Sequence, residues 1–214
     1  RCGYAANLEA ATCQPPVSGL PGPPAMSAAR PGLRSGRAGG AGQSPVEAAK
    51  PLELVKTPGQ HTVEQVSQFL AVPAAKILKT LLYDVGKDDH VAVLVRGDHE
   101  VNEAKLARLV GSPQIRLSST QTIERLSKAP LGFTGPVKLG GVRLLADHAV
   151  MGLVNAVTGA NQDQTHLVNV NPGRDFQAGA VADLRLVTAV DACPSCGKGL
   201  SFVTAIEVGH VFKL

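Results

Sequence analysis

Seven prolines and seven glycines crowd residues 14–49, with one acidic residue, Glu47, and no aromatic among them. Such a stretch cannot bury enough apolar surface to offset the entropy of ordering it. The 214-residue chain therefore divides into a short flank (1–13), a flexible linker (14–51), a folded domain (52–190) and a closing segment (191–214). Arg30, Arg34 and Arg37 lie in the linker, where they could meet RNA or simply keep the segment solvated.

The remaining length is enough for one ordinary domain with a core of its own. Aromatic residues make up 3% of the chain and there is no Trp, so that core must be built from Val, Leu, Ile and Ala. The same scarcity argues against a single-strand binder that stacks bases on aromatic faces. A net charge of +4 and a pI of about 9.0 permit a polyanionic partner without demanding one. No apolar run is long enough to span a bilayer. The start at Arg1-Cys2-Gly3-Tyr4 has no initiator Met and no signal layout, and reads as a chain cut in mid-sequence. No cysteine lies between Cys13 and Cys193, which points to a reducing, cytoplasmic setting rather than a disulfide scaffold.

Thr62-x-x-Gln65 reads as a capping box, followed by Val63, Val66, Phe69 and Leu70 on one helical face. Pro73 suits the start of a second short helix. Strands are predicted at Leu81–Val85 and Val91–Val95, separated by a polar turn. Asn102 can cap a helix carrying Leu106, Leu109 and Val110 and ending at Gly111. Further strands are predicted at Ile115–Leu117, Val142–Ala146, Asn155–Val157 and His166–Val170, with a short helix around Ile123 and Leu126. Helices and strands mix without a regular βαβ repeat, so the fold class is α/β with a mixed sheet.

No nucleophile elbow, phosphate-binding loop, dinucleotide fingerprint or His-Glu-x-x-His helix is present. Gly132-Phe133-Thr134-Gly135-Pro136 is a tight turn whose backbone amides could hold an oxyanion or a ribose hydroxyl; an ordinary loop is the competing reading. Gly159-Ala160-Asn161, with His166 five residues beyond, is a second turn where a ligand could approach the backbone. Cys193-Pro194-Ser195-Cys196 offers two of the four ligands a structural zinc needs, and Cys2 looks like part of a second knuckle.

Several stretches match one family in the same order. They are Thr57-Pro58-Gly59, the run from Val95 to Leu106, Gly135-Pro136, Gly159-Ala160-Asn161 with His166, Gly173 to Phe176, and Ile206 to Leu214. Together they resemble the editing insertion of bacterial-type prolyl-tRNA synthetases, in the YbaK/ProX family of aminoacyl-tRNA deacylases. The resemblance implies a mixed, barrel-like sheet with surrounding helices over about residues 52–190. It also implies hydrolysis of alanyl-tRNA bearing the proline anticodon, with the acceptor end of that tRNA as partner. The parent would be a homodimeric, cytoplasmic proline–tRNA ligase, with no membrane attachment. Ligase activity, with its ATP and Mg, would belong to sequence outside this fragment, and zinc to the parent; the editing reaction itself would use no cofactor.

By the same resemblance, Lys79 binds the phosphate or ribose of the terminal adenosine, and Gly132, Gly135 and Pro136 position the ester and water. Asp147, Gly159, Ala160, Asn161 and His166 contact the substrate, His166 shaping amino-acid selectivity. His148 departs from the family's usual Arg after the Asp. Two alternatives stay open: the same chemistry on another aminoacyl group such as cysteine, or an insertion that binds tRNA without turnover. The resemblance requires Lys79, Pro136 and His166 to meet around one hollow.

Overall fold

The computed structural model describes Ala11 and residues 47–203. The expectations for Cys2, for nearly all of the 1–13 flank and the linker, and for Ile206 to Leu214 lie outside the described residues. The described chain resumes at Glu47, five residues ahead of the expected domain start, and is held there. Lys50 N donates to Asn155 Oδ1 (2.8 Å), Asn155 Nδ2 donates to Glu47 Oε1 and the Ala48 carbonyl (2.9 Å each), and Arg174 Nη1 donates to the Lys50 carbonyl (2.7 Å).

In chain order the elements are β1 (Glu53–Lys56), α1 (Val63–Leu70), a 3-10 turn (Ala74–Lys76), β2 (Leu78–Asp84), β3 (His90–Arg96), α2 (Glu103–Val110), β4 (Arg116–Leu117), α3 (Thr120–Ser127), β5 (Arg143–Asp147), α4 (His148–Met151), β6 (Ala156–Gly159), β7 (Thr165–Val170) and β8 (Ala180–Ala182). A five-stranded sheet runs β4-β2-β3-β5-β8 and a three-stranded sheet runs β1-β7-β6. Pairing is mixed: β2–β3 is antiparallel, while β3–β5 and β5–β8 are parallel. A parallel bridge from Ile77 to Val157 joins the two sheets where β2 begins and β6 runs.

The local chemistry explains these elements. Thr62 and Gln65 form the reciprocal capping box of α1. Asn102 caps α2 and left-handed Gly111 ends it, as its sequence spacing requires. β3 is apolar on both faces because both are covered, a pattern of central strands. Val91, Val93 and Val95 pack with Leu106 of α2, Leu145 and Leu184. Ala92 and Leu94 pack instead with Leu78, Leu82, Ile123 of α3 and residues of β6 and β7. A third, smaller cluster of Val66, Ile77 and Val157 seats α1 at the junction of the two sheets. No helix among the described residues is long and apolar enough to cross a membrane.

Candidate functional site

β4 is only two residues long and pairs with Tyr83 and Asp84 alone, and β6 meets β2 only at its start, through the Ile77–Val157 bridge and Thr158, so around Thr80 no strand pairs with β2 on that side. A cavity of about 460 Å3 opens beside this uncovered edge. Its wall takes in β2 from Leu78 to Leu82, one face of α1 (Val63, Val66), the start of α3 and the turn at Leu131–Gly132. Thr158, Gly159 and His166 close it from the three-stranded sheet. Lys79, Gly132, Gly159 and His166, all singled out in the sequence, thus share one hollow.

His166 is the most constrained of them. It is 4% exposed, and its Nδ1 lies 2.6 Å from the hydroxyl of Thr57, which is fully buried. Phe133, also fully buried, sits edge-on to both His166 and His61, at centroid distances of 5.4 and 5.0 Å. Burial, and then the charge of His61, lowers the His166 pKa to about 4, so its imidazole is neutral near pH 7. A neutral, pinned imidazole can shape a pocket and form a hydrogen bond, but carries no charge to a substrate.

Lys79 Nζ pairs with Glu100 Oε1 at 3.0 Å. Glu100 is mostly exposed, so the ammonium can exchange that partner for an incoming anion. Lys79 also helps hold the Glu64 carboxyl below its ordinary value, after that residue's own backbone amide and the Thr62 hydroxyl, which places it close to the start of α1.

The turn from Gly132 to Pro136 is fixed from behind. Asn161, at φ +54°, accepts from Gly135 N through Oδ1 (2.9 Å) and donates through Nδ2 to the carbonyls of Gly135 (3.0 Å) and Val137 (2.9 Å). Phe133 N donates to the Pro130 carbonyl, and Phe133 O accepts from Asn161 N. The Phe133 and Gly135 amides are therefore spent inside the protein. Those of Gly132 and Thr134 donate to no protein group among the described residues, and both residues line the cavity. They are the turn's candidates for an oxyanion.

The remaining expected residues fall elsewhere. Pro136 is buried but is not part of the cavity wall, so the three-residue meeting of Lys79, Pro136 and His166 reduces to Lys79 and His166. Gly135 and Asn161 lie behind the turn, and Ala160 packs against the core. Asp147 is 2% exposed and structural: its Oδ1 caps α4 through Ala149 N (2.9 Å) and its Oδ2 accepts from Leu184 N (2.9 Å). His148 is exposed and leaves that arrangement undisturbed. Thr57, His61, Phe133, Thr80 and Thr134 are the site residues that sequence reasoning did not assign. Thr57 stands in a matched motif, and Phe133 and Thr134 lie inside the marked turn, so position was the available signal.

Cys193 and Cys196 stand on a turn closed by Gly197 N donating to the Cys193 carbonyl (2.9 Å), with Cys193 buried and Cys196 exposed. Among the described residues no three His, Cys, Asp or Glu side chains gather as a metal would require. The turn suits two ligands of a four-ligand zinc site.

The family model of the aminoacyl-tRNA editing domain matches residues 57–176. A proline–tRNA ligase of Pelotomaculum thermopropionicum is 50% identical over 168 residues, which is 78% of this chain and 29% of that protein. One from Desulforamulus reducens is 42% identical over 213 residues, or 100% of this chain and 33% of that protein. The chain spans about a third of the length of the curated relatives it matches. In shape it is similar to the crystal structure of the hypothetical protein APE2540, with a TM-score of 0.57 and 24% identity over 63% of this chain and 91% of the other; that likeness concerns the fold alone.

Proposed function

This chain belongs to the aminoacyl-tRNA editing domain family, and on that premise we propose that it hydrolyses alanine from a tRNA bearing the proline anticodon, as part of a proline–tRNA ligase. The observation that carries the proposal is the single cavity that gathers Lys79, Gly132, Gly159 and His166.

Water attacks the ester carbonyl carbon, the bond to the ribose oxygen breaks, and that oxygen leaves with a proton as the terminal hydroxyl of the tRNA. An activated ester of this kind needs orientation and oxyanion stabilisation rather than a covalent nucleophile. The Gly132 and Thr134 amides face the developing oxyanion. Lys79 holds the phosphate or ribose of the terminal adenosine at the rim. His166, pinned by Thr57 and backed by Phe133, bounds the amino-acid end, where a methyl fits and a five-membered ring does not. A synthetic site that accepts proline excludes alanine poorly, since a methylene is worth only about 1–3 kcal/mol, and a second, smaller site corrects the error.

The partners are the acceptor end of the tRNA and the rest of a cytoplasmic, homodimeric ligase, which holds ATP and Mg. Cys193 and Cys196 supply half of a zinc knuckle in that parent, and the hydrolysis itself uses no metal. The test is incubation of this chain with alanyl- and with prolyl-tRNA of the proline anticodon. Preferential release of alanine is expected; equal release, or preference for proline, contradicts the proposal.

A further inference from the structure

The two partners of the Lys79–Glu100 pair are held unequally. Lys79 stands on β2, opposite Val95 of β3, and its side chain is 17% exposed. Glu100 has a fixed backbone: Leu186 N donates to its carbonyl at 2.9 Å, and Asn102 N, two residues on, donates to the Leu184 carbonyl at 2.8 Å. Its side chain, in contrast, is 73% exposed. The ammonium therefore stays where β2 puts it, while the carboxylate is free to swing into water.

Other lysines of the fold are tied more firmly. Lys105 Nζ donates to the Arg185 carbonyl (2.9 Å) as well as to Asp183, and Lys76 Nζ to the Val154 carbonyl (2.9 Å) as well as to Glu47. Among the described residues Lys79 Nζ has Glu100 alone, at 3.0 Å, and Lys79 is the only ion-paired Lys or Arg in the cavity wall. Glu64, exposed at the start of α1, lies within electrostatic reach of the same ammonium. Two carboxylates thus face one cation, and the three groups together offer an approaching phosphate no net positive charge.

We propose that Glu100 is an exchangeable counter-ion, which occupies Lys79 until a phosphate of the tRNA end displaces it and so weakens the domain's hold on that end. This rests on the hydrolytic reading above, with Lys79 as the anchor of the terminal adenosine. The exchange has an ionic signature. A lysine that neutralises a phosphate releases the counter-cation held there, and binding to a single strand then falls with salt by a log–log slope of about 0.7 per contact. A neutral Lys–Glu pair brings no net charge to the phosphate, so that release is largely lost. Lys79 of the unaltered chain therefore adds little to the salt dependence, and removing the carboxylate exposes it.

The test is the second-order rate constant of alanine release from alanyl-tRNA, with the chain sub-saturating, from about 50 to about 200 mM salt. The unaltered chain is compared with Glu100→Gln, Lys79→Ala and the double variant. Asp88→Asn, an exposed carboxylate in the turn between β2 and β3, controls for the change in net charge. Glu100→Gln is expected to raise the constant about 3- to 10-fold at low salt and to steepen its salt slope by up to about 0.7. In the Lys79→Ala background the same substitution is expected to gain no more than about twofold, and Asp88→Asn no more than that in the unaltered chain, since only the screened long-range field is left. A lower constant for Glu100→Gln overturns the inference, because Glu100 then positions the lysine rather than occupying it. Equal gains with and without Lys79, or an unaltered salt slope, overturn it too, and these results leave the proposed function standing. Failure of the unaltered chain to release alanine overturns the proposed function, and this inference with it.

Discussion

Asn161 grips Gly135 by both of its backbone groups, accepting from the amide at 2.9 Å and donating to the carbonyl at 3.0 Å. The clasp ties the Gly132–Pro136 turn to the end of β6 and sets the turn's height over the cavity. Replacing Asn161 with Ala leaves buried backbone groups unpaired, at a cost of about 1–3 kcal/mol of stability. The turn then loses its registration, and hydrolysis of alanyl-tRNA is expected to fall by more than the melting temperature alone explains. Denaturant unfolding together with single-turnover rates checks both; a variant with unaltered rates would show that the clasp does not serve the site.

Behind that clasp, Gly135 and Gly159 stack backbone to backbone. A Cβ on Gly135 would lie 1.8 Å from the Gly159 carbonyl oxygen, and one on Gly159 would lie 2.3 Å from Phe133 backbone atoms. Both obstacles are main chain, so neither can rotate away. Alanine at either position is expected to destabilise the domain by about 1–3 kcal/mol, as overpacking does. Alanine at Gly140, where the added carbon meets open space, serves as the control in a thermal melt. Equal melting temperatures for all three variants would refute the close approach.

The Thr57 hydroxyl fixes one nitrogen of His166. Thr57→Val frees the imidazole to turn while keeping the volume. The expected effect is on discrimination: the alanyl-to-prolyl ratio of kcat/KM falls, with a smaller change in kcat on alanyl-tRNA. A ratio that stays fixed would mean that His166 does not bound the amino-acid end.

His166 also makes stability depend on pH. Its folded pKa, about 4, lies below the ordinary value of 6.5. Between those values the unfolded chain binds a proton that the folded chain does not, so stability rises with pH across this window. The contribution is fully present above about pH 6.5 and is lost as pH falls toward 4. His99, lowered by burial and then by Arg96 and Arg185, adds to the same slope. Melting temperatures taken from pH 7 to pH 4.5 should fall less steeply for His166→Gln than for the unaltered chain. Parallel curves would contradict the burial of a neutral imidazole.

Legibility in the sequence followed the range of the interactions. α1 and α2 could be read because their caps, Thr62 with Gln65 and Asn102 with Gly111, lie within a few residues of the apolar positions they frame. β1 was missed because Glu53–Lys56 is mostly exposed and becomes a strand by pairing with β7, more than a hundred residues away. β8 is three residues held by a parallel partner, and α4 is a single turn started by Asp147. Asp147 shows how a resemblance can place a residue without its role: the carboxylate is buried and spent on two backbone amides. Lys79, Gly132, Gly159 and His166 were found because motifs carried them.

The most direct measurement is the single-turnover rate of alanine release from alanyl-tRNA by the unaltered chain and by Lys79→Ala. If the cavity beside β2 is where the ester is cleaved, removing the ammonium at its rim should cut the rate at least about tenfold, as losing a charge-assisted contact does, while the fold's melting temperature holds. Equal rates for the two proteins would place the chemistry elsewhere.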